Sequence, residues 1–159
     1  PIVRAMPNTP ALVGAGATGL IANVRASADD RARAEALLGA AGRTAWIERE
    51  ALMDAVTALS GSGPAYFFLL VEALEDAAVA QGLPRETARM LASQTCLGAG
   101  RMLAESGEAP STLRERVTSP GGTTAAALAA FEEGGFRELV SDAVAAATER
   151  GRELSARTP

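Results

Sequence analysis

The sequence predicts a mostly helical chain preceded by a few short strands, on three observations. Pro7 and Pro10, then Gly14, Gly16 and Gly19, break the opening into short apolar pairs that suit strands and loops. From Asp29 onward apolar residues recur at the three- and four-residue spacing of helices. Helix punctuation also repeats down the chain, with glycine at ends and proline at starts. With 159 residues, 48% of them apolar and 21% charged, the chain has the composition of a globular protein. A globule of this size buries roughly 68% of its extended surface, so a core needs no metal or disulfide.

Taken in order, Ile2-Val3, Leu12-Val13 and Leu20-Ile21 are expected to lie in two short strands and their loops between residues 1 and 23. Ser27 is a suitable cap for a helix over residues 29–38, which Gly39 and Gly42 end. Arg43 to Glu48, with Trp46 and Ile47, reads as a strand. Arg49 to Leu59 reads as a helix with Leu52, Val56 and Leu59 on one stripe. Pro64 then opens a helix to Gln81, about 27 Å long at 1.5 Å per residue. Its first half, Tyr66 to Val71, is apolar almost all round, and only Glu72, Glu75 and Asp76 form a polar face. Such a helix belongs in an interior. A chain this small has difficulty covering it, which predicts a second subunit. Gly82 and Pro84 separate it from a helix reaching Ala104. Shorter helices follow over residues 110–117 and 123–132, and the last runs from Phe136 to about Leu154.

Composition removes several classes of function. The sequence has no histidine, which excludes Ser-His-Asp and Cys-His catalysis, His-ligated zinc and the HExxH motif. No metal site is expected. Fifteen basic against nineteen acidic residues give a net charge of −4, without a basic run, so no nucleic-acid partner is expected. No stretch is long and apolar enough to span a bilayer, and no secretory leader is visible. The single cysteine, Cys96, forbids an intrachain disulfide and fits a reducing cytoplasm, the expected location.

Two loops could carry chemistry. Ser60-Gly61-Ser62-Gly63-Pro64 and Ser119-Pro120-Gly121-Gly122-Thr123-Thr124 each place Gly, Ser or Thr and Pro at the opening of a helix. The first N–H groups of a helix lack internal partners and carry partial positive charge. Glycines let an anion approach the backbone, and hydroxyls add hydrogen bonds. The second loop can therefore cradle a carboxylate or a phosphate, or simply be a capped helix start. Gly14-Ala15-Gly16-Ala17-Thr18-Gly19 matches GxGxxG. It lacks the long buried strand before it and the helix after it that a dinucleotide fingerprint needs, so a glycine-rich strand and turn is the favoured reading. Glu50 and Asp54 flank a possible site or lie on a solvated face. Thr57, one turn before the Ser60 loop, is a site hydroxyl or an ordinary helix threonine. Arg114 and Arg116 either attract an anion or are merely solvated. Cys96 reads as inert.

Taken together, Met6-Pro7-Asn8-Thr9-Pro10, the run Asp54-Ala55-Val56-Thr57-Ala58-Leu59-Ser60-Gly61-Ser62-Gly63-Pro64-Ala65-Tyr66, Gly82-Leu83-Pro84, Gln94-Thr95 and Val117-Thr118-Ser119-Pro120-Gly121-Gly122-Thr123-Thr124 resemble the pyrroline-5-carboxylate reductases in order and spacing along nearly the whole chain. The resemblance implies a helical dimerisation domain like the C-terminal fold of 6-phosphogluconate dehydrogenase, preceded by residual strands of a Rossmann domain. It places the boundary between residues 1–48, the end of the nucleotide-binding domain, and residues 49–159, the dimerisation and substrate domain. The family's glycine-rich βα turn is missing, so the resemblance implies a fragment that is inactive alone.

The implied reaction is reduction of 1-pyrroline-5-carboxylate to L-proline by NADPH or NADH, the last step of proline synthesis. Carried over from the family, Ser119, Gly121, Gly122, Thr123 and Thr124 would hold the substrate carboxylate. Glu50 would face the ring nitrogen, with Thr57 as hydrogen-bond or proton donor. Met6, Pro7, Asn8 and Thr9 would line the nicotinamide end, and Arg116 would reach the cofactor from a neighbouring subunit. A homodimer of interlaced helices is implied, and larger rings of dimers. A non-catalytic helical scaffold is the alternative, and a phosphate-binding regulator a third reading that rests on the Ser119 loop alone.

Overall fold

The computed structural model describes residues 1–156. It is mostly helical, with one three-stranded sheet in the order β1-β2-β3. Strand β1 (Val3–Met6) and strand β2 (Gly16–Ala22) are antiparallel, with Val3 opposite Ala22 and Met6 opposite Gly19. Between them Pro10 sets the first turn of a 3-10 segment (Thr9–Val13), and Gly14, at φ 72°, closes it in the left-handed region that favours glycine. Helix α1 (Ala28–Gly39) carries the chain across to strand β3 (Gly42–Trp46), which runs parallel to β2. The start of α1 is the predicted one. The Asp30 N–H donates to Ser27 Oγ, and the Asp30 carboxylate accepts from the Ser27 N–H at 2.9 Å.

The glycines of the GxGxxG run all have structural duties. Gly14 closes the 3-10 turn. Gly16 lies opposite Gly42 where the parallel pair begins. At Gly19 an added Cβ would stand 2.6 Å from Val56 Cγ1, so the strand and the helical segment after it touch only because residue 19 lacks a side chain. Leu20, Met53 and Ala58 are buried and form the core here.

A 3-10 turn (Glu50–Leu52) leads into the short helix α2 (Met53–Val56), a wide π-type turn (Thr57–Gly61) and the long helix α3 (Gly63–Ala80). The sequence suggests a loop at Ser60–Pro64; the backbone instead stays helical. Proline forces the widening, because it has no N–H for the Ser60 carbonyl and its ring crowds that carbonyl. The Ser62 N–H reaches back five residues to the Thr57 carbonyl at 2.8 Å, the signature of a π-turn.

Gly82, at φ 98°, ends the turn after α3. The Leu83 N–H bonds the Ala78 carbonyl, and the Gly82 N–H bonds that of Val79, a Schellman arrangement. Helix α4 (Arg85–Glu105) returns, and Pro84 is its cap rather than its first residue. The nearly buried Glu75 of α3 bonds Arg85 Nη1 at 3.1 Å and accepts from Arg89 Nε at 3.2 Å and Nη2 at 3.1 Å. Hydrogen bonding from Arg89 first, and then from Arg85, holds the Glu75 carboxyl below its ordinary value. A lowered carboxyl pKa stabilises the fold above the ordinary carboxylate range, and this contribution disappears as pH falls through the lowered value. Glu75→Gln is therefore expected to melt several degrees below the parent at pH 7 and level with it in strong acid. Melting curves over that pH range check this; a constant gap would contradict it.

Helices α5 (Pro110–Arg116), α6 (Thr123–Glu133) and α7 (Phe136–Ser155) complete the chain. By their contacts the residues form two compact units, one of Pro1–Tyr66 with the chain from Ser141 onward, the other of Phe67–Val140. The division falls within α3 and α7. In the first unit, α7 packs on α2: Ser155 Oγ donates to Asp54 Oδ1 at 3.3 Å, and a Cβ on Gly151 would meet that oxygen at 3.1 Å. In the second, Ala88 and Leu113 are the only buried apolar residues among those described, while Phe67, Phe68 and Leu69 are 58%, 67% and 66% exposed.

Candidate active-site elements

The candidate residues fall into two groups, one in each unit. The first surrounds the π-turn. Widening the helix frees backbone carbonyls, and three side chains answer. Because the Ser62 N–H is taken by Thr57, the Ala58 carbonyl accepts instead from the Tyr66 hydroxyl at 3.0 Å. The Ser60 carbonyl, which Pro64 cannot satisfy, accepts from Asn8 Nδ2 at 2.9 Å. The other end of the same amide, Asn8 Oδ1, accepts from the Ala17 N–H of β2 at 2.9 Å. The Ser60 hydroxyl bonds its own helix, at the Val56 carbonyl. Met6 lies against Gly61, where an added Cβ would stand 2.7 Å from Met6 Cε. A groove of about 260 Å³ along β2 and β3 ends at Leu59 and Ser60 of this turn.

Thr57 donates its hydroxyl proton to the Met53 carbonyl at 2.9 Å. With its proton so used, the hydroxyl oxygen keeps lone pairs that can accept a hydrogen bond. The Glu50 carboxylate is paired with Arg4 Nη1 of β1, and its side chain is 61% exposed. Asp54 is engaged by Ser155. Of the residues expected at the nicotinamide end, Asn8 has both ends of its amide occupied. Pro7 and Thr9 are exposed and Met6 is half-buried.

The second group is the loop before α6. Pro120 and Gly121 occupy the centre of a type II turn, with Gly121 at φ 68° and the Gly122 N–H bonding the Ser119 carbonyl at 3.0 Å. Gly122 packs closely on Ser119: an added Cβ would stand 2.4 Å from Ser119 Oγ, which would have to turn away, and 3.1 Å from its carbonyl oxygen. Gly122 caps α6 without a side chain. Among the described residues, the N–H groups of Thr123 and Thr124 and the hydroxyls of Ser119, Thr123 and Thr124 make no hydrogen bond. The loop thus presents unpaired donors at the positive end of an eleven-residue helix. Thr118, by contrast, is spent on the Arg114 carbonyl at 2.6 Å. Arg116 pairs with Glu108 and is 64% exposed.

Residues 50–154 match the dimerisation domain of pyrroline-5-carboxylate reductase. The chain belongs to the pyrroline-5-carboxylate reductase family. The family's member from Pseudomonas aeruginosa is 54% identical over 155 residues, covering 98% of this chain and 57% of the relative. That from Arabidopsis thaliana is 51% identical over 153 residues, covering 96% and 55%. Among solved structures, the reductase of Coxiella burnetii superposes with a TM-score of 0.94 at 50% identity, over 96% of this chain and 57% of its own. The Plasmodium falciparum enzyme, solved with NADP bound, gives 0.85 at 38% identity, over 96% and 62%. The chain thus spans just over half the length of these family members.

The π-turn, and the parts that Asn8 and Tyr66 play in it, go beyond what the sequence reading anticipates. One signal was available: Pro64 lies four residues after Ser60, so any helix through this stretch leaves the Ser60 carbonyl without its donor.

Proposed function

We propose that this chain provides the substrate-binding and dimerisation part of an enzyme that reduces 1-pyrroline-5-carboxylate to L-proline. The observation that carries this reading is the set of unpaired donors at Ser119, Thr123 and Thr124, within the stretch that matches the family. A carboxylate is the anion these amides and hydroxyls suit: it accepts several short hydrogen bonds at once and is favoured at a helix N-terminus. Gly121 and Gly122 shape the turn that keeps these donors open. Thr57 is the partner proposed for the ring nitrogen. Its lone pairs accept from a protonated imine N–H, favouring the iminium form, which takes up hydride more readily than the neutral imine.

NADPH or NADH supplies the hydride when bound. The residues present do not form a pyrophosphate cradle, because Gly14, Gly16 and Gly19 serve a turn and the packing of β2. Met6, Pro7 and Thr9 are left as the proposed lining at the nicotinamide end. Residues 1–48 correspond, in this reading, to the end of a nucleotide-binding domain and residues 49–159 to the helical domain. The functional form is a homodimer, supported by the family of the matched domain and by the exposed apolar face of α3; rings of such dimers, and a place in the cytoplasm, belong to the same proposal.

The test is titration of L-proline into the 159-residue chain and its Thr124→Ala variant. The variant is expected to bind about tenfold more weakly, the effect of losing about 1.4 kcal/mol of hydrogen bonding. In an assay of NADPH-dependent proline formation, the chain alone is expected to be inactive. A folded wild-type chain that binds no proline would sink the substrate reading and leave a helical scaffold.

A further inference from the structure

The amide of Asn8 is held at both ends by backbone, which is an unusual commitment for a residue expected to line a cofactor. Its Nδ2 donates to the Ser60 carbonyl at 2.9 Å, and its Oδ1 accepts from the Ala17 N–H at 2.9 Å. Ser60 lies inside the π-turn and Ala17 inside β2. An amide so used is committed to the fold through one of its two donors and one of its two acceptor lone pairs. We propose that Asn8 is a positioning residue, a lock that pins the π-turn to the sheet and thereby sets where the Thr57 hydroxyl stands. The role of Thr57 toward the substrate rests on the function proposed above; the lock itself rests on the geometry of the turn.

The argument follows the carbonyls. In an ordinary helix the Ser60 carbonyl would accept from residue 64, but residue 64 is proline and has no N–H. A part-buried carbonyl without a partner is costly. Asn8 supplies the missing donor from outside the helix, at the position where the turn has opened. With that carbonyl satisfied, the Ser62 N–H is free to bond Thr57 rather than Ala58, and Tyr66 takes the Ala58 carbonyl. Thr57 is the first residue of the widened turn, so its hydroxyl direction depends on the turn remaining wide. Only a side chain with a donor and an acceptor on one planar group can hold Ser60 and β2 together. Aspartate at position 8 would keep the bond from Ala17 but set a second oxygen against the Ser60 carbonyl.

Asn8→Ala, Asn8→Asp, Pro64→Ala and the double variant Asn8→Ala/Pro64→Ala separate positioning from mere support. Three readouts are taken on the 159-residue chain: thermal melting, hydrogen exchange at the Ser62 amide and affinity for L-proline. Asn8→Ala and Asn8→Asp are each expected to speed Ser62 exchange and weaken proline binding at least tenfold. In the double variant, the alanine that replaces Pro64 brings an N–H that can satisfy Ser60 from within the helix. Its melting temperature is expected to recover toward the parent while proline binding stays weak, because the turn narrows and Thr57 rotates with it. The proposal is overturned if Asn8→Ala leaves Ser62 protection and proline affinity unchanged, or if the double variant recovers affinity along with stability. If the wild-type chain binds no proline, the proposed function and the positioning role fall together. Ser62 exchange then decides the lock alone.

Discussion

Replacing Phe67 and Phe68 together by glutamate is expected to abolish the dimer proposed for this chain. The two side chains are 58% and 67% exposed on a helix whose neighbouring positions, Leu69 and Leu70, are also open. Fully burying a phenylalanine contributes roughly 1.5–3 kcal/mol relative to leaving it exposed. A two-fold dimer repeats each contact, so four aromatic rings are at stake. Within the same unit a groove of about 500 Å³ is bounded by Leu70, Leu128, Phe131, Phe136 and Val140, and the rings of Phe131 and Phe136 lie 5.3 Å apart beside it. With only Ala88 and Leu113 buried here among the described apolar residues, this part of the chain lacks a core of its own, so folding and association are expected to be one event. Light scattering should give the parent twice the mass of the chain, and circular dichroism should show the double variant without a cooperative melt. A variant that melts like the parent at the same mass would remove the dimer from the account.

Gly42→Ala is the second large effect. Gly42 sits at φ 150°, in a region that residues with a Cβ rarely enter. An added Cβ would stand 2.0 Å from the Gly16 carbonyl oxygen, 2.4 Å from its nitrogen and 2.5 Å from its carbonyl carbon. All three are backbone atoms, so no side chain can swing aside. Strain of this kind costs about 1–3 kcal/mol before the clash is counted. At about 2–4 °C per kcal/mol for a chain of this length, a fall of roughly 10 °C in melting temperature is expected. Gly39→Ala, at a position with open space around it, is the control and should melt close to the parent. Equal melting of the two variants would show that the crossing of β2 and β3 tolerates a methyl group.

Much of the fold could be read from local chemistry. Ser27 and Asp30 announce the start of α1, Gly82 announces the Schellman turn, and the spacing of apolar residues gives the long helices. These features depend on residues a few positions apart, and such features show in a sequence. The Ser119–Thr124 loop was legible for the same reason: Pro-Gly-Gly before two threonines specifies both the turn and the open helix end. The misreading at Ser60–Pro64 has a different cause. Gly61, Gly63 and Pro64 do favour a loop locally, and what keeps the helix going is a donor from Asn8 and another from Tyr66. The partner of Glu50 was hidden for the same reason, since Arg4 lies 46 positions earlier. The exposed apolar surface of α3 was anticipated from its composition, as a helix too apolar for a small chain to cover.

The bond from Asn8 to Ser60 joins residues 52 positions apart, so the donor that completes the wide turn lies outside the peptide that contains it. A synthetic peptide spanning residues 53–80 would keep the distortion that Pro64 imposes but would leave the Ser60 carbonyl to water. Asn8 can reach Ser60 only once the strand before it and Ala17 behind it are in register. The turn is thus among the last features to set during folding, and any event that loosens the sheet is felt at Thr57 well before the helices themselves come apart.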